Sequence, residues 1–405
     1  MSSARVYCAR WVVPAEGRAI PDGAVVACGG RIERLTAWRR IRPHLGPRDA
    51  VETFPDAAIL PGFVNAHTHL AYAKRGARDA QRGTNDFVGW IARLTARRLA
   101  SGPAALCRAV RQGARSSAAA GTCAGAALEP DLKAARALAG EATVWTVFGE
   151  VFRFGPAGLR RVAKVVRDLE ALARATGLRV GLSPHTPWSV GPEVFMAARE
   201  AAEARGWPIS THLHETLSEI AMTERGRGSL LRWMRRAGVV PRAWGPPGKR
   251  PIPLLAEAGF FRGPVLVAHA NYLTDEEIAV LGRSGSSVAY CPRSHAFFRH
   301  RDHPWRRLLA AGVNVGLGTD SLASSPSLSV LDEARFLFAR EPDADPRTLL
   351  RMATANGARA IGLADEFGDL RPGLCAAFCV VGPLRETADP LAAILSGEGS
   401  VARNT

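Results

Sequence analysis

The sequence has little lysine, so nearly all of its positive charge comes from arginine. This composition bears on whether the charge indicates binding to nucleic acid. Only 4 of its 53 basic residues are lysines, so the formal net charge of +16 comes almost entirely from arginine. The arginines are scattered along the chain. No basic stripe interleaved with aromatic residues occurs, although such a stripe is typical of nucleic-acid-binding segments. We therefore expect a solvated arginine-rich surface and no nucleic acid among the partners.

Cysteine motifs and long apolar runs are also missing. The seven cysteines are irregularly spaced and form no Cys-x-x-Cys pair, which predicts reduced, buried thiols and a cytoplasmic protein. The residues from Met1 to Val6 lack the apolar core of a signal peptide. No run reaches the roughly 18 apolar residues that span a bilayer. The expected partner is a small-molecule substrate, without a membrane, and a homo-oligomer is left open.

Apolar runs alternate with helical patterns over most of the chain. Its 405 residues, 47% of them hydrophobic, suffice for one large α/β domain and a smaller one. The eight runs are 58–66, 122–128, 142–150, 179–185, 208–214, 265–270, 287–291 and 314–319. Helical spacing marks 156–176 and 192–205 between runs, and 346–362 after the last one. Eight alternations predict a (β/α)8 barrel, in which the active site forms at the C-terminal ends of the strands.

The flanks of this region carry a different pattern. Short β-like segments with turns occur over 5–9 and 23–27, and again over 376–381. The sequence therefore predicts an α/β fold in which a TIM-type barrel occupies residues 58–365. A small β-sandwich domain is expected to form from both chain ends, with residues 1–57 as its N-terminal part and 366–405 as its C-terminal part.

Five short motifs place possible metal ligands in a fixed order along the chain. They are His67-Thr68-His69, His185 in Ser183–Pro187, His212-Leu213-His214-Glu215, His269 in Ala268–Ala270, and Gly318-Thr319-Asp320. Imidazoles and one carboxylate suit a borderline divalent cation with one position left open for water. Each motif follows or ends an apolar run, so together they predict a hydrolytic metal centre at one end of the barrel.

The spacing within the motifs supports this chemistry. His67 and His69 lie two apart on a strand, so their side chains face the same way and can reach one ion. His212 and Glu215 lie three apart where a strand gives way to a loop, so the histidine can bind the ion while the carboxyl group shuttles protons. A lone buried Asp320 would be energetically unfavourable without a partner, and a cation beside it removes that penalty.

Through these motifs the chain resembles the amidohydrolase superfamily. Within it, the chain is most similar to the group of triazine hydrolases, S-adenosylhomocysteine and methylthioadenosine deaminases, aminofutalosine deaminases and guanine deaminases. The resemblance covers nearly the whole chain and is carried by Pro61–Leu70, Ser183–Pro187, His212–Thr216, Cys291–Ser294 and Gly318–Ser324. It implies a single divalent ion, zinc or iron, held by His67, His69, His212 and Asp320. It also implies that Glu215, His269 and Asp320 handle protons and that His185 contacts the substrate.

Three departures from the family pattern stand out. Ala71 occupies a position where aminofutalosine-like members are expected to carry a glutamate that binds a ribose diol, which disfavours a ribonucleoside. Ala376-Ala377 stands where the family usually has Ala-Asp. The chain also ends at Arg403-Asn404-Thr405, about where family members begin a last strand, so the expected small sheet is incomplete through natural shortening or truncation.

Other residues are candidates for the pocket around the ion. Trp90 lies in a helical segment, so it either forms a wall of the pocket or packs in the core. His295 follows the seventh strand and is predicted to line the pocket. His214 would face the barrel if its strand continues, so it either contacts the pocket or packs in the core. His300 and His303 are predicted to be loop residues.

The predicted function is a metal-dependent aminohydrolase. A metal-activated water molecule would attack the amidine-like carbon of a purine-like, nucleoside-like or other aminated heterocycle, an aminofutalosine- or adenosine-type substrate included. Glu215 would then protonate the ring nitrogen and the departing ammonia. An alternative is hydrolysis of a cyclic amide or a chloro-substituted ring. An alternative of another class, a non-catalytic binding protein on a degenerate barrel, is disfavoured by the intact ligand set.

Overall fold

The computed structural model describes residues 4–72, 83–241 and 243–404. Its strands are β1 (Arg5–Val12), β2 (Ile20–Cys28), β3 (Arg31–Ala37), β4 (Ala50–Pro61), β5 (Phe63–Thr68), β6 (Thr122–Glu129), β7 (Val144–Val151), β8 (Arg179–Pro184), β9 (Ser210–Leu213), β10 (Leu266–His269), β11 (Ser287–Tyr290), β12 (Asn314–Leu317), β13 (Phe378–Gly382) and β14 (Ser400–Asn404).

The α-helices follow in the same chain order. They are α1 (Trp38–Ile41), α2 (Phe87–Leu99), α3 (Pro103–Ala119), α4 (Leu132–Ala135), α5 (Gly155–Thr176), α6 (Pro192–Glu203), α7 (Leu217–Arg225), α8 (Ser229–Arg236), α9 (Pro251–Glu257), α10 (Asp275–Arg283), α11 (Pro292–Phe297), α12 (Trp305–Ala310), α13 (Val330–Arg340), α14 (Pro346–Ala353), α15 (Ala355–Ala360) and α16 (Pro390–Leu395).

Eight parallel strands form a closed barrel, which confirms the predicted fold class. Strands β5 to β8 pair in chain order in one parallel sheet, and β9 to β12 pair likewise in a second. Two parallel bridges join the sheets, from Thr68 to Asp320 and from Leu182 to Ile209. All eight residues of β6 are buried, as expected for parallel strands that are covered on both faces.

Two predicted elements are divided in the structure. The run 58–66 is split at Gly62, so that β4 leaves the barrel while β5 begins it. A Cβ atom on Gly62 would lie 2.7 Å from Cys123 Sγ, so this close approach requires glycine. The helix predicted over 346–362 is also interrupted, because Thr354 has the non-helical angles φ −136° and ψ −90° and separates α14 from α15.

The sequence of α5 explains how a helix of the barrel begins, packs and ends. In α5 the apolar residues Val162, Val166 and Leu169 recur at three- and four-residue spacing and are buried. Pro156 stands in the first turn, where its missing N–H is not needed. Gly177 ends the helix with φ +71°, a left-handed conformation that glycine adopts without a steric penalty.

Strands from both chain ends form a second sheet. Its order is β14-β13-β4-β1-β2-β3, in which β1 and β4 are parallel and the remaining pairs are antiparallel. Strand β1 is covered on both faces, since Tyr7 packs with Phe378 while Val6 packs with Ile41. The predicted boundary at residue 57 falls inside β4, and the division into domains stays a prediction.

Two further sequence predictions concern the state of the cysteines and membrane-spanning helices. All seven cysteines are free thiols, and four of them are buried. Among the residues that the structure describes, no helix combines the length and apolar character that crossing a bilayer requires.

Candidate metal centre

Three histidines from two barrel strands converge at the C-terminal end of the barrel. His67 belongs to β5, His69 follows it, and His212 belongs to β9. One ring nitrogen from each lies within 4.8 Å of the others. The Nε2 atoms of His69 and His212 are 3.2 Å apart. Two nitrogens that bind one tetrahedral zinc ion at about 2.0–2.1 Å would lie at nearly this separation.

The hydrogen bonds of these rings fix where their lone pairs point. His69 Nδ1 lies 3.0 Å from Leu128 O, and His212 Nδ1 lies 3.3 Å from His185 O. A carbonyl oxygen can only accept, so each Nδ1 carries its hydrogen and each Nε2 presents a lone pair. The two lone pairs therefore face each other at 3.2 Å, which is repulsive unless a cation lies between them.

His67 needs a ligand for the same reason. It is fully buried, and neither ring nitrogen has a hydrogen-bond partner among the described residues. Burial, reinforced by neighbouring histidines, lowers the pKa of His67 and of His212 well below the usual value. Both rings are therefore neutral near pH 7, which is the form that binds a metal. The donor set fits a divalent cation.

Backbone contacts bring Asp320 beside these histidines. The N–H groups of Thr319 and Asp320 both donate to His67 O, at 3.0 and 3.1 Å. Thr68 Oγ1 donates to Asp320 O at 2.7 Å. A Cβ atom on Gly318 would lie 2.9 Å from His67 Cβ and from His67 O, so only glycine allows this approach. The Gly318-Thr319-Asp320 motif is thus explained by the contact that closes the barrel.

The Asp320 carboxylate is held by two hydroxyl groups. Ser294 Oγ and Ser324 Oγ each donate to Asp320 Oδ2 at 2.7 Å, and the residue is 4% exposed. Its φ of +54° is uncommon for a residue with a side chain and places the carboxylate where an extended strand would not. Because both hydroxyls bind Oδ2, Oδ1 is the oxygen left for an ion or a water molecule.

Glu215 and His269 form a second pair of polar groups at this end of the barrel. Glu215 Oε1 lies 3.8 Å from His269 Nε2. The loop that carries Glu215 is held by Glu219, whose Oε2 accepts from Glu215 N at 3.0 Å, and by Asn271, which donates to Glu215 O at 2.9 Å. These contacts fix where the Glu215 carboxyl group lies.

The environment prepares the two groups for opposite roles. Burial, together with Asp320 and Glu219, raises the pKa of Glu215 well above its usual value, which favours its protonated form. Burial lowers the pKa of His269 to about 4, so the ring is neutral and can accept a proton. These shifts favour Glu215 as a proton donor and His269 as a proton acceptor.

A cleft of about 530 Å³ opens onto these residues. His69, His212, Glu215, His269 and Asp320 lie along its lining, together with Trp90 and His185. Trp90 Nε1 donates to Ala323 O at 3.1 Å, which fixes the indole in the wall. The His185 ring lies between Phe152 and Trp188, at centroid distances of 4.6 and 5.0 Å. The structure thus brings Trp90 and His185 to the same cleft as the predicted ligands.

His295 lies elsewhere, since it does not belong to the lining of this cleft in the described part of the chain. Its ring is buried against Tyr290, His300 and His303 because β11 turns directly into α11 after Cys291. His303 Nε2 donates to His269 O at 2.7 Å. This second histidine cluster therefore supports the backbone behind the cleft.

His214 also turns away from the cleft. Its φ of +55° ends the extended conformation of β9, and its Nε2 lies 3.2 Å from Glu277 Oε1. Arg250 binds the same carboxylate, with its Nε 2.9 Å from Glu277 Oε1. Of the two roles that the sequence left open for His214, the structure favours packing in a buried polar network.

Sequence reasoning missed several residues of the site. Ser294 and Ser324 stand inside the motifs that carry the family resemblance, but their contact with Asp320 depends on how two distant loops meet. Glu219 follows Glu215 by four residues, the spacing of one helical turn. Glu150, in the cleft wall, ends the third apolar run. Its position at a strand end was the signal that could have identified it.

Comparisons with known proteins agree with this geometry. Residues 58–401 match the amidohydrolase family. The chain is 33% identical over 363 residues to the aminodeoxyfutalosine deaminase of Deinococcus radiodurans. This alignment covers 85% of this chain and 81% of that protein.

Two solved structures share the fold. The Helicobacter pylori aminofutalosine deaminase in complex with methylthio-coformycin aligns with a TM-score of 0.85 and 21% identity, over 99% of this chain and 98% of that one. A zinc-bound adenosine deaminase from Xanthomonas campestris aligns with a TM-score of 0.81 and 24% identity, over all of this chain and 91% of that one.

Proposed function

Because this chain belongs to the amidohydrolase family, we propose that it is a metal-dependent deaminase that releases ammonia from an aminated, nucleoside-like heterocycle. The observation that carries the proposal is the pair of lone pairs on His69 and His212, which face each other at 3.2 Å beside the unpartnered ring of His67. This arrangement calls for a cation, and a proton donor and a proton acceptor lie in the same cleft.

The ion would be single, and zinc is the first candidate. His67, His69 and His212 form one possible ligand group, and Glu150, His185 and His212 form another. Both groups need the one lone pair of His212, because its Nδ1 hydrogen points to a carbonyl oxygen. One lone pair serves one ion, which supports a single site. Asp320 Oδ1 is the oxygen that we propose as a further ligand. The zinc in the Xanthomonas campestris relative supports zinc over iron.

The chain's own residues would divide the proton transfers between them. When bound, the cation supplies Lewis acidity and lowers the pKa of a water molecule. His269 and the Oδ1 atom of Asp320 would take the proton from that water. Glu215 would give its proton to the ring nitrogen next to the carbon under attack. As a new C–O bond replaces the C–N bond, the proton taken from water by Asp320 and His269 would pass to the departing nitrogen, which leaves as ammonia. The proton of the new hydroxyl group would return to Glu215 as the carbonyl forms.

The cleft supports an aromatic, aminated substrate. The Trp90 indole and the His185 ring provide flat surfaces for a heterocycle, and both are fixed by their own contacts. The protein of Deinococcus radiodurans that is 33% identical is an aminodeoxyfutalosine deaminase, which supports a nucleoside-like substrate. A hydroxide nucleophile, a general acid and a general base together suffice for deamination.

Ammonia release across a panel of compounds tests this proposal. The panel should contain adenosine-type nucleosides, free purines, pterins, triazines, hydantoins and dihydropyrimidines, incubated with the zinc-loaded protein. We expect ammonia from at least one aminated nucleoside. Ring opening of hydantoins or dihydropyrimidines without ammonia would instead identify a cyclic-amide hydrolase.

A further inference from the structure

The proposed chemistry does not use the buried ion pair between Arg293 and Glu333. Glu333 lies on α13 and is fully buried. Its Oε1 accepts from Arg293 Nε at 2.7 Å, and its Oε2 accepts from Arg293 N at 2.8 Å. A buried ion pair is weak evidence for stability, because the cost of taking both charges out of water can exceed the attraction between them. The pair therefore calls for a further explanation.

The first segment that Glu333 holds is the one that follows β11. Arg293 directly precedes Ser294 in α11, and Glu333 binds both the backbone N–H and the guanidinium group of Arg293. Ser294 Oγ in turn donates to Asp320 Oδ2 at 2.7 Å. The position of this hydroxyl group therefore depends on where Glu333 holds the first turn of α11.

The second segment that Glu333 holds is the loop that follows β12. Ser325 Oγ donates to Glu333 Oε1 at 3.1 Å. The residue before it, Ser324, donates from its Oγ to Asp320 Oδ2 at 2.7 Å. One carboxylate is thus bonded to the sequence neighbours of both serines that hold Asp320.

Arg293 adds further bonds to the same loop. Its Nη1 donates to Ser327 Oγ at 2.9 Å, and its Nη2 donates to the carbonyl oxygens of Ser327 and Ser329 at 2.9 and 3.2 Å. Arg293 belongs to the segment after β11, whereas these acceptors lie after β12. The ion pair therefore fixes the two segments relative to each other.

This connection matters for the direction in which the Asp320 carboxylate points. Rotation about the Cβ–Cγ bond of an aspartate has only broad preferences, so the bonds to its oxygens decide which oxygen faces the cleft. Both serine hydroxyls bind Oδ2, which leaves Oδ1 for the ion. In the described part of the chain, neither Arg293 nor Glu333 belongs to the lining of the cleft. Any effect of the pair on the ion must therefore pass through other residues.

We propose that the ion pair of Arg293 and Glu333 positions the Asp320 carboxylate. It keeps two serine hydroxyl groups on Oδ2, so that Oδ1 is presented to the ion. This inference rests on the proposed function, because it takes Asp320 as a ligand of a single cation. Groups that hold the ligands of a metal typically contribute about 10- to 100-fold to metal affinity or activity. A contribution of this size is expected from the pair.

The zinc affinity of four proteins, measured by competition with a chelator, tests this inference. They are the unaltered protein, Glu333→Gln, the double variant Ser294→Ala/Ser324→Ala, and the variant that combines all three substitutions. Glu333→Gln should weaken zinc binding by about 10- to 100-fold. Glutamine has one oxygen, whereas the donors of Arg293 approach both oxygens of the carboxylate. In the double variant, the same substitution should cause no further loss, because the hydroxyl groups through which the pair acts are gone.

Glu203 provides a control at the opposite end of the barrel. It also pairs with a buried arginine, since its Oε1 accepts from Arg199 Nε at 2.8 Å, and Arg199 donates to Pro264 O ahead of β10. Glu203→Gln should leave the zinc affinity unchanged. If Glu333→Gln does not fold, Arg293→Met/Glu333→Leu takes its place in the comparison, because it leaves no unpaired charge buried.

Three results would overturn the inference. They are an unchanged zinc affinity in the Glu333→Gln protein, an equal loss in the Glu203→Gln protein, and a full further loss when Glu333→Gln is added to the two serine substitutions. Additive losses would show that the pair acts by another route. Zinc binding is measured without substrate, so a failure of the deaminase proposal is distinguishable. In that case the four affinities follow the expected pattern while no compound releases ammonia. An unaltered protein that binds no zinc would overturn both.

Discussion

Replacing Asp320 with asparagine is expected to lower kcat by about 10²–10⁴-fold or more, while the barrel stays folded. Asparagine keeps an oxygen that can accept from Ser294 and Ser324, so the two 2.7 Å contacts and the shape of the loop can persist. It removes the negative charge beside the proposed ion and the group that we propose takes a proton from water. The measurement is steady-state turnover together with metal content and thermal unfolding.

Asp345 offers a matched control for this substitution. Its carboxylate caps α14 by accepting from Arg347 N and Thr348 N, and asparagine is an equally good N-cap. Asp345→Asn should therefore leave turnover unchanged. If Asp320→Asn instead turned over at the normal rate, Asp320 would have no place in the chemistry. If the variant lost its cooperative unfolding transition, Asp320 would be a structural residue.

Replacing Glu215 with glutamine should preserve the bound metal and reduce turnover by about 10²–10⁴-fold, the usual contribution of general acid–base catalysis. The residue is 9% exposed, and burial raises its pKa well above the usual value, which favours the protonated form. Glutamine has nearly the same shape but cannot transfer that proton to a ring nitrogen. Elemental analysis and steady-state kinetics of the same preparation check both halves of the expectation.

A nearby exposed glutamate controls for the change of charge. Glu224 lies on α7, in the segment that follows Glu215, and pairs with Arg225 at the surface. Glu224→Gln should turn over normally. Normal turnover of Glu215→Gln would remove this residue from the mechanism, and loss of the metal would show that it acts as a ligand.

The barrel could be predicted from the sequence because its strands are buried on both faces and therefore appear as continuous apolar runs. Strand β6 is an example, with all eight residues buried. The split at Gly62 could not be predicted, because the apolar pattern continues through it and the break depends on the approach of Cys123 from another strand. The interruption at Thr354 could not be predicted either, because it depends on the backbone angles of this residue and the spacing of apolar residues does not reveal them.

The residues of the site likewise include some that could be predicted from the sequence and some that could not. His67 and His69 were predictable as a pair because their spacing puts both on one face of a strand, and Asp320 because an isolated buried carboxylate needs a partner. The hydroxyls of Ser294 and Ser324, which hold Asp320, come from two loops that meet only in the folded protein. His295 was expected in the pocket, but the turn from β11 into α11 directs its ring toward Tyr290.

The central claim is that hydrolysis depends on one cation held by His67, His69, His212 and Asp320. The direct test is to remove bound metal with a chelator, return zinc in measured steps and follow ammonia release from the best substrate. We expect no activity in the metal-free protein and a rise to a plateau at about one ion per chain. Full ammonia release from protein that elemental analysis shows to be free of metal would contradict it.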